Sequence, residues 1–126
     1  MRLDELMRLA IDKGEPAIEK GQTPFGCAIA LDGRILAADH NTVWASTDIT
    51  CHAEVNAIRA ACRELGLIFL EGATVASTCE PCPMCMAALH WARVVTVWTP
   101  SSARLPACAR TGKMPVLQGN LKKIFS

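Results

Sequence analysis

Thr78-Cys79-Glu80-Pro81-Cys82-Pro83-Met84-Cys85, with Cys51-His52-Ala53-Glu54 upstream of it, decides how this 126-residue chain reads. Cys82 and Cys85 stand three residues apart. In the first turn of a helix that spacing puts both thiols on one face, where they can share a metal ion. The positive end of such a helix favours thiolate, the form that binds zinc. His52, at the start of a second helix, offers a neutral imidazole nitrogen. Two Cys and one His make three ligands and leave the fourth tetrahedral position open, the pattern of a catalytic rather than a structural zinc. No histidine pair at ligand spacing is present to complete a closed four-ligand site. Glu54, two residues after His52, is placed to handle protons beside the metal as a general acid and base. A single carboxyl that takes a proton from water and returns protons to a ring nitrogen and a leaving amine fits hydrolytic deamination.

The rest of the chain reads outward from these segments. Ala53 to Leu65 is a helix with Val55, Ile58, Ala61, Cys62 and Leu65 inward and Gly66 at the left-handed cap. Pro81 to Trp91 is a helix opened by prolines, which suit a first turn. Thr74 to Ser77 and Val94 to Trp98 are strands. Upstream, Leu3, Leu6, Met7, Ala10, Ile11, Ala17 and Ile18 recur at helical spacing, loosened near Gly14 and Pro16. Thr23-Pro24-Phe25-Gly26 is a loop. Cys27 to Leu31 and Ile35 to Ala38 are strands joined at Asp32-Gly33, a strong hairpin signal. Asp39 to Thr50 is a polar loop holding Asn41 and Trp44. Beyond Thr99, Met114 to Leu117 reads as a strand and Leu121 to Phe125 as a short helix. Helices alternating with strands imply an α/β fold, a three-layer α-β-α sandwich with a mixed central sheet and helices on both faces.

Length allows one domain, and we take residues 1–126 as a single zinc-dependent deaminase domain. At 51% apolar and 20% charged, the chain is not of disordered composition. No stretch of about 18 residues lacks charge, which argues against a membrane-spanning helix. Acids in the opening residues argue against a secretory signal, and seven cysteines without one imply reduced thiols and a cytoplasmic protein. Residues 1–80 hold 7 basic and 12 acidic groups, whereas residues 81–126 hold 6 basic and no acidic group. That asymmetry marks either a phosphate-binding face or a solvated surface balanced by the other half.

Pro24-Phe25-Gly26, Cys51-His-Ala-Glu-Val-Asn-Ala-Ile-Arg59, Thr78 to Cys85 and Trp91-Ala-Arg93 together resemble the cytidine/deoxycytidylate deaminase superfamily, most closely its bacterial guanine deaminase and nucleoside deaminase branch. The resemblance implies Zn2+ held by His52, Cys82 and Cys85, with Glu54 as the proton shuttle. Asn41 matches the family Asn that hydrogen-bonds the base, and the backbone at Ala53 is positioned to touch it. Phe25, Trp44 and Trp91 are each either pocket aromatics or plain packing. His90 reads as a surface or interface residue. Guanine deaminases carry an acidic stretch where this chain has Ser101 to Arg110 with no acid, so the carboxylate that suits guanine's N–H donors is missing there. The expected reaction is removal of an exocyclic amine from a nucleobase or nucleoside, a hydrolysis belonging to purine or pyrimidine metabolism, with ammonia released. The alternatives are a tRNA adenosine deaminase acting on RNA, a cytosine deaminase, or a non-enzymatic zinc module. Finally, Ala87, Ala88, Leu89, Trp91, Val94, Val95, Val97 and Trp98 present more apolar surface than the short tail covers. A homodimer is therefore expected, with Asp39 or Asp48 of a neighbour completing the pocket.

Overall fold

In the computed structural model, residues 2–94 and 96–100 are described, and the account below concerns them alone. The elements are α1 (Leu3–Gly14), a short 3-10 segment (Glu15–Lys20), β1 (Gly26–Leu31), β2 (Arg34–His40), α2 (Val43–Ser46), α3 (Ala53–Leu65), β3 (Thr74–Ser77), α4 (Pro83–Trp91) and β4 (Thr96–Trp98). The sheet runs β2-β1-β3-β4. β1 is antiparallel to both β2 and β3, and β3 is parallel to β4. The mixed sheet and three layers match the expectation. Met114 to Leu117 and Leu121 to Phe125 lie outside the described residues, as do Cys108 and the stretch 101–110.

The uninterrupted apolar run of β1 is explained by its central place, buried on both faces. Cys27 and Ile29 face a core built with Ala53, Ala57 and Ala61 of α3 and Met86 and Leu89 of α4. Ala28 and Ala30 face the opposite way, onto Leu6 and Ala10 of α1. The side chains on this second face are small because α1 lies almost against the strand: a Cβ on Gly26 would stand 1.9 Å from the Ala10 carbonyl oxygen. Asp32 (φ 51°) and Gly33 (φ 78°) both take left-handed backbone, as a two-residue hairpin of this type requires. A bulge opposite Ile29 and Ala30 lets the adjacent Leu36 and Ala37 both join the α3-side core.

Four details differ from the sequence reading. The polar loop from Asp39 contributes two residues to β2 and folds into α2 in its middle. The buried stripe of α3 is Ala53, Glu54, Ala57 and Ala61, while Val55, Ile58, Cys62 and Leu65 are only partly covered. Close approach to the sheet selects alanine, and the larger side chains flank the contact. Ile18, counted on the apolar face of the first helix, is 60% exposed because the 3-10 segment breaks the helical phase after Gly14. Leu89, Val94, Val97 and Trp98 are buried within the chain itself, so the expected uncovered face shrinks to Trp91, at 68% exposure, with Ala87 and Ala88 half-buried. Val95 is outside the described set. None of the described helices is long and apolar enough to cross a membrane.

Candidate metal centre and active site

Two helix N-termini meet where β1 begins and β3 ends. His52 caps α3 and Cys82 caps α4, both in extended backbone, with Cys85 in the first turn that follows. His52 Nδ1 lies 3.6 Å from Cys82 Sγ and 3.6 Å from Cys85 Sγ. All three donor atoms fall within 4.8 Å of one another. Zinc bound at about 2.3 Å from sulfur and about 2.05 Å from nitrogen in a tetrahedral site requires an N···S edge of about 3.6 Å. Both N···S distances therefore match those of a zinc site. Cys79 stands at the same spacing ahead of Cys82 but is exposed and outside the group.

Without a cation, burial pushes the Cys85 thiol well above its ordinary range, and the charge and hydrogen bond of Glu54 push it further. A bound cation reverses that balance by stabilising thiolate. Burial, followed by Glu54 and Glu80, raises Cys79 in the same direction. The chemistry of the donor set, two thiols and an imidazole, is that of a zinc site.

A cavity of about 340 Å³ opens beside this group, within the range of small-molecule sites. His52, Cys82, Glu54, Asn41, Phe25 and Trp44 are among its lining residues. Glu54 is 6% exposed, and Ser77 Oγ lies 2.5 Å from its Oε1. Asn41 is buried with its side-chain oxygen accepting from the Val43 amide at 3.0 Å, which leaves the amide nitrogen to face a ligand. Phe25 and Trp44 form the open rim, at 40% and 73% exposure. Ala53 is buried between His52 and Glu54. Trp91 is elsewhere: it lines a separate apolar cavity of about 760 Å³ with Ile58, Cys62, Phe69 and Arg93. His90 is exposed, edge-on to Trp91 at 6.2 Å. Arg93 is the one basic residue of 81–126 among the described residues. It pairs with Glu71 at 2.7 Å and stacks 3.7 Å over Phe69.

Several residues absent from the sequence reading shape the site. Thr23 lines the cavity with a buried hydroxyl that has no hydrogen-bond partner among the described residues. Gln22 is buried and accepts the Trp44 amide at 3.2 Å. The Asn56 amide reaches the His40 carbonyl and Thr42 Oγ1, each at 2.9 Å, which ties the Asn41 loop to α3. Asn56 was within reach of the spacing argument, since it lies four residues after His52 and so on the same helix face. Ser77, Gln22 and Thr23 carry no such local signal. Thr50 donates from both amide and hydroxyl to Asp48 and holds that carboxyl below the usual carboxylate range.

A His/Cys/Cys centre with a buried glutamate, set at the helix N-termini of a three-layer mixed-sheet sandwich, defines the class of zinc-type deaminases. The family described as the cytidine and deoxycytidylate deaminase zinc-binding region matches residues 1–100, and the chain belongs to it. It is 49% identical over 75 residues to guanine deaminase of Bacillus subtilis (strain 168), covering 60% of this chain and 48% of that protein. It is 42% identical over 88 residues to the tRNA-specific adenosine deaminase of Agrobacterium fabrum (strain C58 / ATCC 33970), covering 70% and 58%. The chain thus spans about half the length of these curated relatives. Among solved structures, guanine deaminase from Bacillus subtilis aligns with a TM-score of 0.76 at 30% identity, over 100% of this chain and 96% of that one. A structure from studies of A-to-I editing by tRNA:A34 deaminases aligns with a TM-score of 0.74 at 38% identity, covering 76% and 74%.

Proposed function

We propose that this chain is a hydrolytic nucleobase or nucleoside deaminase that releases ammonia from a guanine-like base, with residues 1–126 acting as one catalytic domain. The observation that carries the reading is the buried Glu54 carboxyl, which faces the same cavity as a metal-competent His52/Cys82/Cys85 group. In this proposal those three residues hold zinc. When bound, zinc supplies Lewis-acid activation of water at neutral pH. Glu54 takes the proton from the attacking water. It passes that proton to a ring nitrogen of the base, then takes the second proton from the hydroxyl now added to the ring carbon and passes it to the departing amine. The C–O bond formed thus replaces the C–N bond broken, and water and the base become an oxo-base and ammonia. The Asn41 amide nitrogen donates to a ring acceptor and fixes the base plane. Phe25 and Trp44 flank the ring and shield it from solvent.

A second reading, a tRNA adenosine deaminase, is favoured by the matches at 42% and 43% identity to tRNA-specific enzymes and by the open rim at Trp44 and Ile49. Ammonia release on guanine, adenine, cytosine, their nucleosides and a tRNA anticodon stem-loop separates the two. The guanine-type reading predicts turnover of a free base at a rate indifferent to salt between 50 and 200 mM. Activity confined to the stem-loop, falling steeply over that range (about 10³-fold or more for six phosphate contacts), would replace it with the second.

We also propose that the protein works in the cytoplasm as a homodimer. Six described cysteines without a disulfide are consistent with a reducing compartment. The exposed Ile68 and Trp91 around the second cavity supply apolar surface for a second copy. Sedimentation of the zinc-loaded protein at micromolar concentration tests this: a monomer with full activity contradicts it.

A further inference from the structure

We infer that Ser77 is the positioning residue for Glu54: its hydroxyl anchors one oxygen of the carboxyl and leaves the other to the reaction. The inference rests on the deaminase reading and assigns a role to a residue outside the zinc-and-glutamate motif. Ser77 ends β3 and is fully buried, and its Oγ lies 2.5 Å from Glu54 Oε1 and 2.9 Å from the Cys79 carbonyl oxygen. A hydroxyl carries one proton but both donates and accepts. It can therefore donate to Glu54, or accept from a protonated Glu54 while donating to the Cys79 carbonyl. The same heavy-atom arrangement serves before and after the proton transfer, so the carboxyl need not swing as it takes a proton and gives it up.

The anchor is itself held fast. Ser77 pairs with Cys27 across the sheet. The next residue, Thr78, is clamped to Gly26 from both sides: the Thr78 amide donates to the Gly26 carbonyl at 3.0 Å, and the Gly26 amide donates to Thr78 Oγ1 at 3.0 Å. A glutamate side chain has three rotatable bonds. On α3 alone it would sample several positions, and a misplacement of about 1 Å is worth on the order of 10²-fold in rate. β3 supplies a fixed point on the far side of the cavity wall.

The test compares Ser77→Ala and Ser77→Thr with the parent chain, all loaded with zinc. The readouts are kcat, KM and zinc per chain, repeated in a Glu54→Gln background. Ser77→Ala is expected to lower kcat by about 10- to 100-fold, with KM and zinc content unchanged, because only placement of the carboxyl is lost. Ser77→Thr keeps the hydroxyl and is expected to stay within about 3-fold of the parent, the span of ordinary context effects. In the Glu54→Gln background the alanine change is expected to add nothing further. Should Ser77→Ala fail to fold, Ser77→Cys, close in volume but a weak donor, carries the same expectation. Ser77→Ala with parental kcat overturns the assignment, as does an equal loss in both backgrounds or a loss of zinc. A parent chain that releases no ammonia from any base overturns the deaminase reading and the Ser77 role with it. A parent that does, beside an unaffected Ser77→Ala, overturns the Ser77 role alone.

Discussion

Gly26→Ala tests how the helix layer is seated on the strand that floors the site. A Cβ at Gly26 would lie 1.9 Å from the Ala10 carbonyl oxygen and 2.9 Å from both the Ala10 carbonyl carbon and the Gly14 amide nitrogen. All three are backbone atoms of α1, so no side chain can swing aside. The strand cannot retreat either, because Gly26 is clamped to Thr78 through both its amide and its carbonyl. An ordinary contact of about 3.4 Å is reached only if α1 lifts by about 1.5 Å. Such a gap forfeits much of the dispersion energy between the layers, here that of the fully buried Leu6 and Ala10 against Ala28, Ala30 and Ala76. Overpacking costs typically about 1–3 kcal/mol, and a backbone-on-backbone clash belongs at the upper end. We expect a loss of about 3 kcal/mol, seen as a lower urea midpoint at unchanged slope and a melting temperature reduced by about 10 °C. Both proteins should carry zinc during the measurement. A loss below about 1 kcal/mol would refute the close seating of α1 on β1.

Gly66→Ala serves as the contrast. Gly66 caps α3 at φ 69° with open space around it, so only backbone strain is added and about 1 kcal/mol should be lost; a loss equal to that of Gly26→Ala would contradict the account. The pH dependence of stability offers a third check through Cys27. Burial first, then Glu54 and Asp39, raise its thiol well above the ordinary value. Below about pH 8.5 folded and unfolded chains both hold that proton. Above it the unfolded chain releases the proton and the folded chain does not, so stability falls by about 1.4 kcal/mol per pH unit. Cys27→Ala should make the alkaline slope shallower in urea titrations, with the raised thiols of Cys62 and Cys79 keeping part of it, and parallel curves for the two proteins would count against it.

The sequence made the local features legible because their determinants are local. The Asp32-Gly33 hairpin, the span of α3 with its Gly66 cap, and the Cys82/Cys85 pair each depend on neighbours within a turn. His52, Cys82 and Cys85 could be singled out as a group because thiols and an imidazole at helix starts have few other uses in that pattern, and their donor atoms do lie within 4.8 Å of one another. Residues whose role comes from meeting another element were not legible. Ser77 is an unremarked strand terminus until β3 is set beside α3, and Gln22 and Thr23 matter only once the loop before β1 covers the cavity. The burial of Leu89, Val94, Val97 and Trp98 shows the same limit. Apolar content was read correctly, but whether a second copy or this chain covers it depends on sheet order. Trp91 follows the motif in sequence by six residues and yet lines another cavity, because α4 carries it away from its own N-terminus.

In the proposed mechanism Glu54 moves protons at a zinc site that His52, Cys82 and Cys85 hold without its help. Ammonia release from guanine by the zinc-loaded chain, measured beside Glu54→Gln at matched zinc content, tests it most directly. The variant is expected to keep one zinc per chain while kcat falls by about 10²- to 10⁴-fold, the range for loss of a general acid and base. A Glu54→Gln protein that binds zinc and releases ammonia at the parental rate would contradict it.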